Sequence, residues 1–225
     1  MECFVRRPPL AWAVFLTLFT VLLCAGQDTA PAQAPSRATS TPYTGDLAIF
    51  ESPSREKRLQ IDRVMDLLRI APGKTVADIG AGSGWFTVRA ARRVGSTGTV
   101  CAVDINPGAI EYIDRRSRTE SLVNIKTILS KADDPLLPKE SVDAVLLLKT
   151  YHEVAAPVKL LENLRPALRP GARVGIIDRE GNGADHGVSR KVVIEEAEHA
   201  GYRLLETYDF VKADNMDYFL VFAVR

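Results

Sequence analysis

The sequence predicts an α/β domain: a doubly wound, mostly parallel seven-stranded sheet with a C-terminal antiparallel hairpin. Three observations carry that expectation. Short apolar runs alternate with amphipathic stretches between Thr75 and Ala200, as in repeated βα units joined by right-handed crossovers. One run, Val142–Leu148, is almost continuously apolar, as expected of a strand covered on both faces. The last two strand-like stretches, Arg203–Phe210 and Tyr218–Val224, have no helical stretch between them, so they pair as a hairpin.

Each element follows from local signals. Ser52 before Pro53 reads as an N-cap with proline at the first helical position. Ile61, Val64, Met65 and Leu68 then keep the i, i+3, i+4, i+7 stripe of an amphipathic helix, ended by Pro72-Gly73. Strands are expected at Thr75–Ile79, Thr99–Asp104, Asn124–Leu129, Val142–Leu148 and Arg173–Asp178. Helices are expected at Trp85–Val94, at Ala109–Arg118 after Asn106-Pro107, at Val158–Leu168 before Pro170-Gly171, and at Val188–Ala200.

The chain has 225 residues, with 29 basic against 28 acidic. That balance leaves no broad footprint for nucleic acid, so no such partner is expected. Arg6 and Arg7 precede an apolar stretch from Leu10 to Leu23, followed by Ala25 and Gly26. This order of basic, apolar and small residues is that of a secretory signal, and the stretch falls short of the roughly 20 residues of a spanning helix. Residues 1–26 are therefore a signal peptide or membrane anchor, residues 27–45 an Ala/Pro/Ser/Thr-rich linker, and residues 46–225 the folded domain. The expected location is exported or periplasmic, with residues 10–23 the only membrane contact if the signal is retained. Leu23 before Cys24 argues against a lipid-attachment site, which wants a small residue there. Cys101 is the one cysteine well inside the domain, so no intradomain disulfide forms and the residue packs as a small apolar group. Nothing sets the oligomeric state.

The stretch VADIGAGSGWF carries the chemistry. A dinucleotide fingerprint needs glycine at position 85, which is Trp, and a phosphate loop needs a lysine that is absent. What stands here is D-x-G-x-G-x-G, formed by Asp78, Gly80, Gly82 and Gly84. A carboxylate facing a glycine turn suits a ligand with a cationic amino group. Asp104 ends the next strand, where a carboxylate accepts both hydroxyls of a ribose. Asp133, or Asp134 beside it, follows the third strand and could accept from an adenine amino group.

With AVDINP, KADDPLLPKESVDAVLLLKTYHEV and LRPGARVGIID, this constellation resembles the class I S-adenosylmethionine-dependent methyltransferases over residues 50–225. The opening FESPSR and the closing Tyr218–Phe222 strand are similar to bacterial methyltransferase-domain proteins in particular. The resemblance implies a Rossmann-like fold, S-adenosyl-L-methionine as cofactor, and methyl transfer to an acceptor. It implies that Gly80, Gly82 and Gly84 line the methionine part, that Asp78 lies near its amino group, and that Asp104 holds the ribose. Ile105 would pack on adenine, Asp133 would meet its amino group, and Lys149 joins the cofactor-binding set.

The segment Lys149-Thr150-Tyr151-His152-Glu153 follows strand four, and Asp178 to His186 follows strand five. Both lie beyond carboxyl ends of strands, where ligands bind in open α/β sheets. Tyr151 and His152 are the candidate catalytic residues. His152 serves as a general base or bonds a loop backbone. His152, His186 and Asp178 or Glu153 would make a two-histidine, one-carboxylate metal set, but the spacing does not fix one, and no metal is expected. Trp85 packs in the core or lines the site, and Arg55 is a surface arginine at a helix start or reaches the site. No N/D-P-P-Y/F follows strand four and no cysteine cluster flanks the site, so the expected acceptor is a small molecule rather than a nucleic-acid base or arsenite. The competing readings are an exported cofactor-binding module without activity and, more weakly, a nicotinamide-dependent oxidoreductase.

Overall fold

A computed structural model describes residues 1–3, 37–211 and 217–225. The signal or anchor from residue 4 onward, and the linker as far as residue 36, lie outside the described residues. Among the described residues no helix is long and apolar enough to cross a membrane.

Seven strands form one sheet in the order β3-β2-β1-β4-β5-β7-β6. They are β1 (Thr75–Ile79), β2 (Thr99–Asp104), β3 (Ile125–Leu129), β4 (Val142–Leu148), β5 (Leu168–Arg179), β6 (Tyr202–Tyr208) and β7 (Asp217–Val224). The first five run parallel, while β7 pairs antiparallel with both β5 and β6. The helices are α1 (Arg55–Leu59), α2 (Ile61–Leu67), α3 (Trp85–Val94), α4 (Pro107–Thr119), α5 (Pro157–Leu164) and α6 (Arg190–His199).

The apolar run of β4 explains the layering. Val145 and Leu147 enter one core with Leu160, Leu161 and Leu164 of α5 and Val193 of α6. Ala144, Leu146 and Leu148 enter the other with Val64 of α2 and Trp85 and Phe86 of α3. Alternate side chains of a strand point to opposite faces, so a strand covered on both sides must be apolar throughout. Each fully buried leucine contributes about 2 kcal/mol.

Three local expectations are corrected. The first helix begins at Arg55 with Ser54 as its cap, and the chain breaks at Gln60 (φ 47°) before α2. Helix α5 stops at Leu164 because Pro166 has no N–H to continue the helical hydrogen-bond ladder. A 3-10 turn, Arg165–Ala167, leads into β5, which takes in Pro170-Gly171 where its register against β4 shifts between Val142 and Ala144. Lastly, residues from Arg37 onward, read as linker, pack on the domain. Arg37 donates to the Tyr151 carbonyl at 2.8 Å and pairs with Glu196 at 3.0 Å. The Ser40 N–H donates to the His152 carbonyl at 3.2 Å.

Candidate functional site

The sheet order sets β1 between β2 and β4, so a crevice opens where successive connections leave in opposite directions. The glycine turn after β1 occupies it. Gly80, Gly82 and Gly84 all have positive φ (72°, 55° and 73°), a conformation that costs glycine least. A Cβ on Gly80 would stand 2.2 Å from Thr150 Oγ1, so the turn lies directly against the end of β4.

Asp104 organises the turn. Its Oδ2 accepts from the Gly82 N–H at 2.8 Å and its Oδ1 from the Asn106 N–H at 2.8 Å. Each oxygen keeps a second lone pair, while Ile105 beside it is 45% exposed. Asp78 is enclosed: it is 2% exposed, and its Oδ2 accepts from the Thr87 hydroxyl at 2.6 Å. Burial raises its pKa to about 7, against the opposing pull of Thr87 and Arg55.

The segment before α1 covers this turn. The Phe50 ring lies 3.7 Å from where a Gly82 Cβ would be. Glu51 accepts from the Ser83 hydroxyl at 2.6 Å and pairs with Arg116 at 2.6 Å. Arg55 is no free surface group. Its guanidinium sits 4.7 Å from the Trp85 ring centre and donates to the Phe50 carbonyl at 3.0 Å. Desolvation lowers its pKa to about 10. Trp85 itself is 2% exposed and belongs to the core. Glu51, Thr87 and Thr150 had no signal in the spacing, since each acts through a contact that only the folded turn creates.

The other candidates are distributed unevenly. The Lys149 ammonium is engaged by Asp217 of β7, which makes it a strut between strand ends. Asp133 is half-buried and its carbonyl accepts from Asn163 at 2.8 Å, while the neighbouring Asp134 carboxylate accepts from the Leu136 N–H at 2.9 Å. Asp134 is thus a turn residue. Tyr151 is fully enclosed, with Arg37 5.4 Å from its ring centre. Burial and the neighbouring Glu196 carboxylate raise its pKa well above the usual phenol value. Its hydroxyl offers nothing to a ligand in this conformation.

His152 is 4% exposed, and its Nδ1 lies 2.9 and 3.0 Å from the two Asp178 oxygens. Asp178, wholly buried, also accepts from the His152 and Arg179 N–H groups at 3.1 and 2.9 Å. His152 lies in a 3-10 turn after β4 and Asp178, 26 residues on, near the end of the adjacent parallel strand β5. Nε2 therefore faces the rim, 3.9 Å from a Glu153 oxygen. The His186 ring meets the His152 ring edge to face, with centres 5.8 Å apart. Desolvation raises the Glu153 pKa to about 7; His152 opposes the shift, while Asp104 and Asp178 add to it. That coupling to Asp104 puts the cluster within electrostatic reach of the glycine crevice.

A methyltransferase-domain family profile matches residues 76–171, the interval that holds the glycine turn, Asp104 and His152. Residues 76–171 thus match a methyltransferase domain. Its curated relatives include the aklanonic acid methyltransferase DauC of Streptomyces sp. strain C5, 37% identical over 84 residues, or 37% of this chain and 38% of that protein. Another is the ubiquinone/menaquinone biosynthesis C-methyltransferase UbiE of Hydrogenovibrio crunogenus, 29% identical over 122 residues, or 54% and 48% of the two chains. The chain spans half or less of the length of these relatives. Among solved structures, a SAM-dependent methyltransferase from Aquifex aeolicus shares the fold with a TM-score of 0.73 at 24% identity, over 81% of this chain and all of that one.

The cofactor of such a methyltransferase domain is S-adenosylmethionine, and the residues here suit it. Asp104 has the unused lone pairs that a vicinal diol needs, and Ile105 offers an exposed apolar side chain beside them. Glycine at position 82 gives the turn its left-handed backbone (φ 55°) beneath the Phe50 ring.

Proposed function

We propose that the chain transfers a methyl group from S-adenosylmethionine to a small-molecule acceptor. The observation that carries this reading is the Asp104 carboxylate fixed by two backbone N–H groups at the glycine crevice, with a buried histidine–carboxylate pair beside it. Asp104 would hold the ribose, Ile105 the adenine, and the glycine turn the methionine part, with Asp133 available to the adenine amino group. Asp78 lies behind that turn with the Thr87 hydroxyl and the Arg55 charge only partly offsetting its burial, so an ammonium bound beside it would favour its ionised form. When bound, the cofactor supplies a sulfonium-activated methyl group.

The protein's own contribution is position and protons. Asp178 holds Nδ1 of His152 and aims Nε2 at the rim, where it can take the acceptor's proton as the acceptor lone pair attacks the methyl carbon. The cofactor would supply the methyl carbon and leave as a neutral thioether that keeps the electrons of the carbon–sulfur bond. Tyr151 supports His152 from inside the core and takes no part in the displacement. The relatives' names, an aklanonic acid methyltransferase and a ubiquinone/menaquinone biosynthesis C-methyltransferase, support an acceptor bearing an ionisable hydroxyl or enol carbon. The N-terminal signal pattern supports export of the domain.

The test is mass spectrometry of product S-adenosylhomocysteine from the full chain with labelled cofactor and a panel of phenols, hydroquinols and enolic acids. The reading predicts labelled product with at least one acceptor and a fall of about 10²-fold or more in His152→Ala, the scale of a lost general base. Bound cofactor with no product on any acceptor or in a lysate would leave only a binding module.

A further inference from the structure

His152, Glu153 and His186 come together in a way that neither methyl transfer nor packing requires. One ligand atom from each lies within 4.8 Å of the other two. We propose that these three side chains bind a divalent transition-metal ion of the zinc or ferrous type, which takes the acceptor's oxygen as a further ligand.

Four observations converge on it. The donor set, two imidazoles and one carboxylate, is that of open catalytic metal sites, which leave a position for water or substrate. His152 already has the partner that a metal-bound histidine uses. Its Nδ1 is held at 2.9 Å by the wholly buried Asp178 carboxylate, which leaves Nε2 free, 3.9 Å from the Glu153 carboxylate. His186 is carried on a left-handed backbone position (φ 56°), and its N–H is fixed at 3.0 Å by the Ser40 hydroxyl. Ser40 in turn donates to the Gly183 carbonyl at 2.9 Å, so the strap from Arg37 anchors the loop that bears the exposed ligand. Finally, the Asp178 and Glu153 carboxylates flank the two nitrogens of His152, and a dication would answer that concentration of negative charge.

The fit requires little movement. Metal–nitrogen and metal–oxygen bonds of about 2.0–2.2 Å put tetrahedral ligands about 3.4 Å apart. His152 Nε2 and Glu153 Oε1 stand 3.9 Å apart and all ligand atoms lie within 4.8 Å of one another, so side-chain adjustments of about 0.5–1.5 Å close the site. The exposed His186 is the ligand free to make them.

What the ion would do rests on the methyl-transfer reading; that it binds does not. In the metal-loaded protein Nε2 serves as a ligand, so the base role of His152 belongs to the metal-free form. An acceptor hydroxyl on the ion loses its proton to solvent water, and the metal-bound oxygen then attacks the methyl carbon while sulfur keeps the electrons of the broken bond. An enolic acceptor is held by its oxygen and attacks through carbon.

The experiment is titration of the tag-free, metal-stripped full chain with Co²⁺, followed by visible d–d absorption, with Zn²⁺ as competitor. The proposal predicts saturation near one equivalent and displacement by Zn²⁺. It also predicts affinity losses of more than about 100-fold in His186→Ala and Glu153→Gln, and of about 10–100-fold in Asp178→Asn. Circular dichroism of metal-free His186→Ala, an exposed substitution, checks that its fold is intact. No spectrum at one equivalent, or unchanged affinity in both His186→Ala and Glu153→Gln, overturns the site. Binding of S-adenosylhomocysteine, measured separately, reports on the cofactor crevice whichever way the metal titration falls.

Discussion

Asp78 shows how a residue's role changes between sequence and structure. The motif marks a carboxylate facing a ligand, yet the side chain is sealed behind the glycine turn against Thr87. Its folded pKa, about 7, stands above the ordinary value near 3.9. Ionising it is therefore harder in the folded chain than in the unfolded one, and its contribution to stability falls as pH rises from about 4 to about 7. Asparagine can keep the Thr87 hydrogen bond without the charge. Scanning calorimetry of cofactor-free Asp78→Asn and the parent should show the variant's melting temperature gaining on the parent's across that window. Glu153 titrates with the same sign in both proteins, so it cancels from the comparison. A difference independent of pH would mean that Asp78 carries no such penalty. Arg55 and Trp85 were less legible for a related reason: their stacking joins a helix start to a helix on the far side of a strand, which periodicity cannot reveal.

At the scale of elements, strands were read well wherever burial alone dictates composition. β1, β2 and β4 begin and end where the apolar runs do. The misread boundaries lie where two breakers compete. Pro166 and not Pro170 ends α5, and the later Pro-Gly is absorbed into the register shift of β5. Composition also misled at residues 37–45, because a polar strap binds through its backbone and a few hydrogen bonds, needing no apolar residues of its own. That strap is predicted to hold the loop at 183–187. Removing the Ser40 hydroxyl takes away the acceptor for the His186 N–H and the donor to the Gly183 carbonyl, interactions of about 1 kcal/mol each. Hydrogen exchange of Ser40→Ala should quicken at 183–187 by about tenfold while the β4 and β5 amides keep the parent's rates. Exchange unchanged in that loop would show that the strap merely lies on it.

At the scale of the whole molecule, the strand order does what no single motif can. It sets β4 between β1 and β5, which brings the glycine turn, the His152 segment and Asp178 to one rim. The spacing of Asp78, Gly80, Gly82, Gly84 and Asp104 made the cofactor half of the site readable, because those residues are local to two strand ends. The acceptor half was readable only as a shared rim. The contacts of His152 with Asp178 and His186 depend on loop conformations, including positive φ at Lys149 and His186, that no local residue preference announces. Cofactor recognition at that first half is the claim on which the rest depends, and calorimetric titration of S-adenosylhomocysteine into the full chain tests it most directly. The account predicts one equivalent bound at micromolar affinity or tighter, weakened about 100-fold or more in Asp104→Ala, which loses two hydrogen bonds to a charged group. No binding at millimolar concentration, or equal binding by Asp104→Ala, would contradict it.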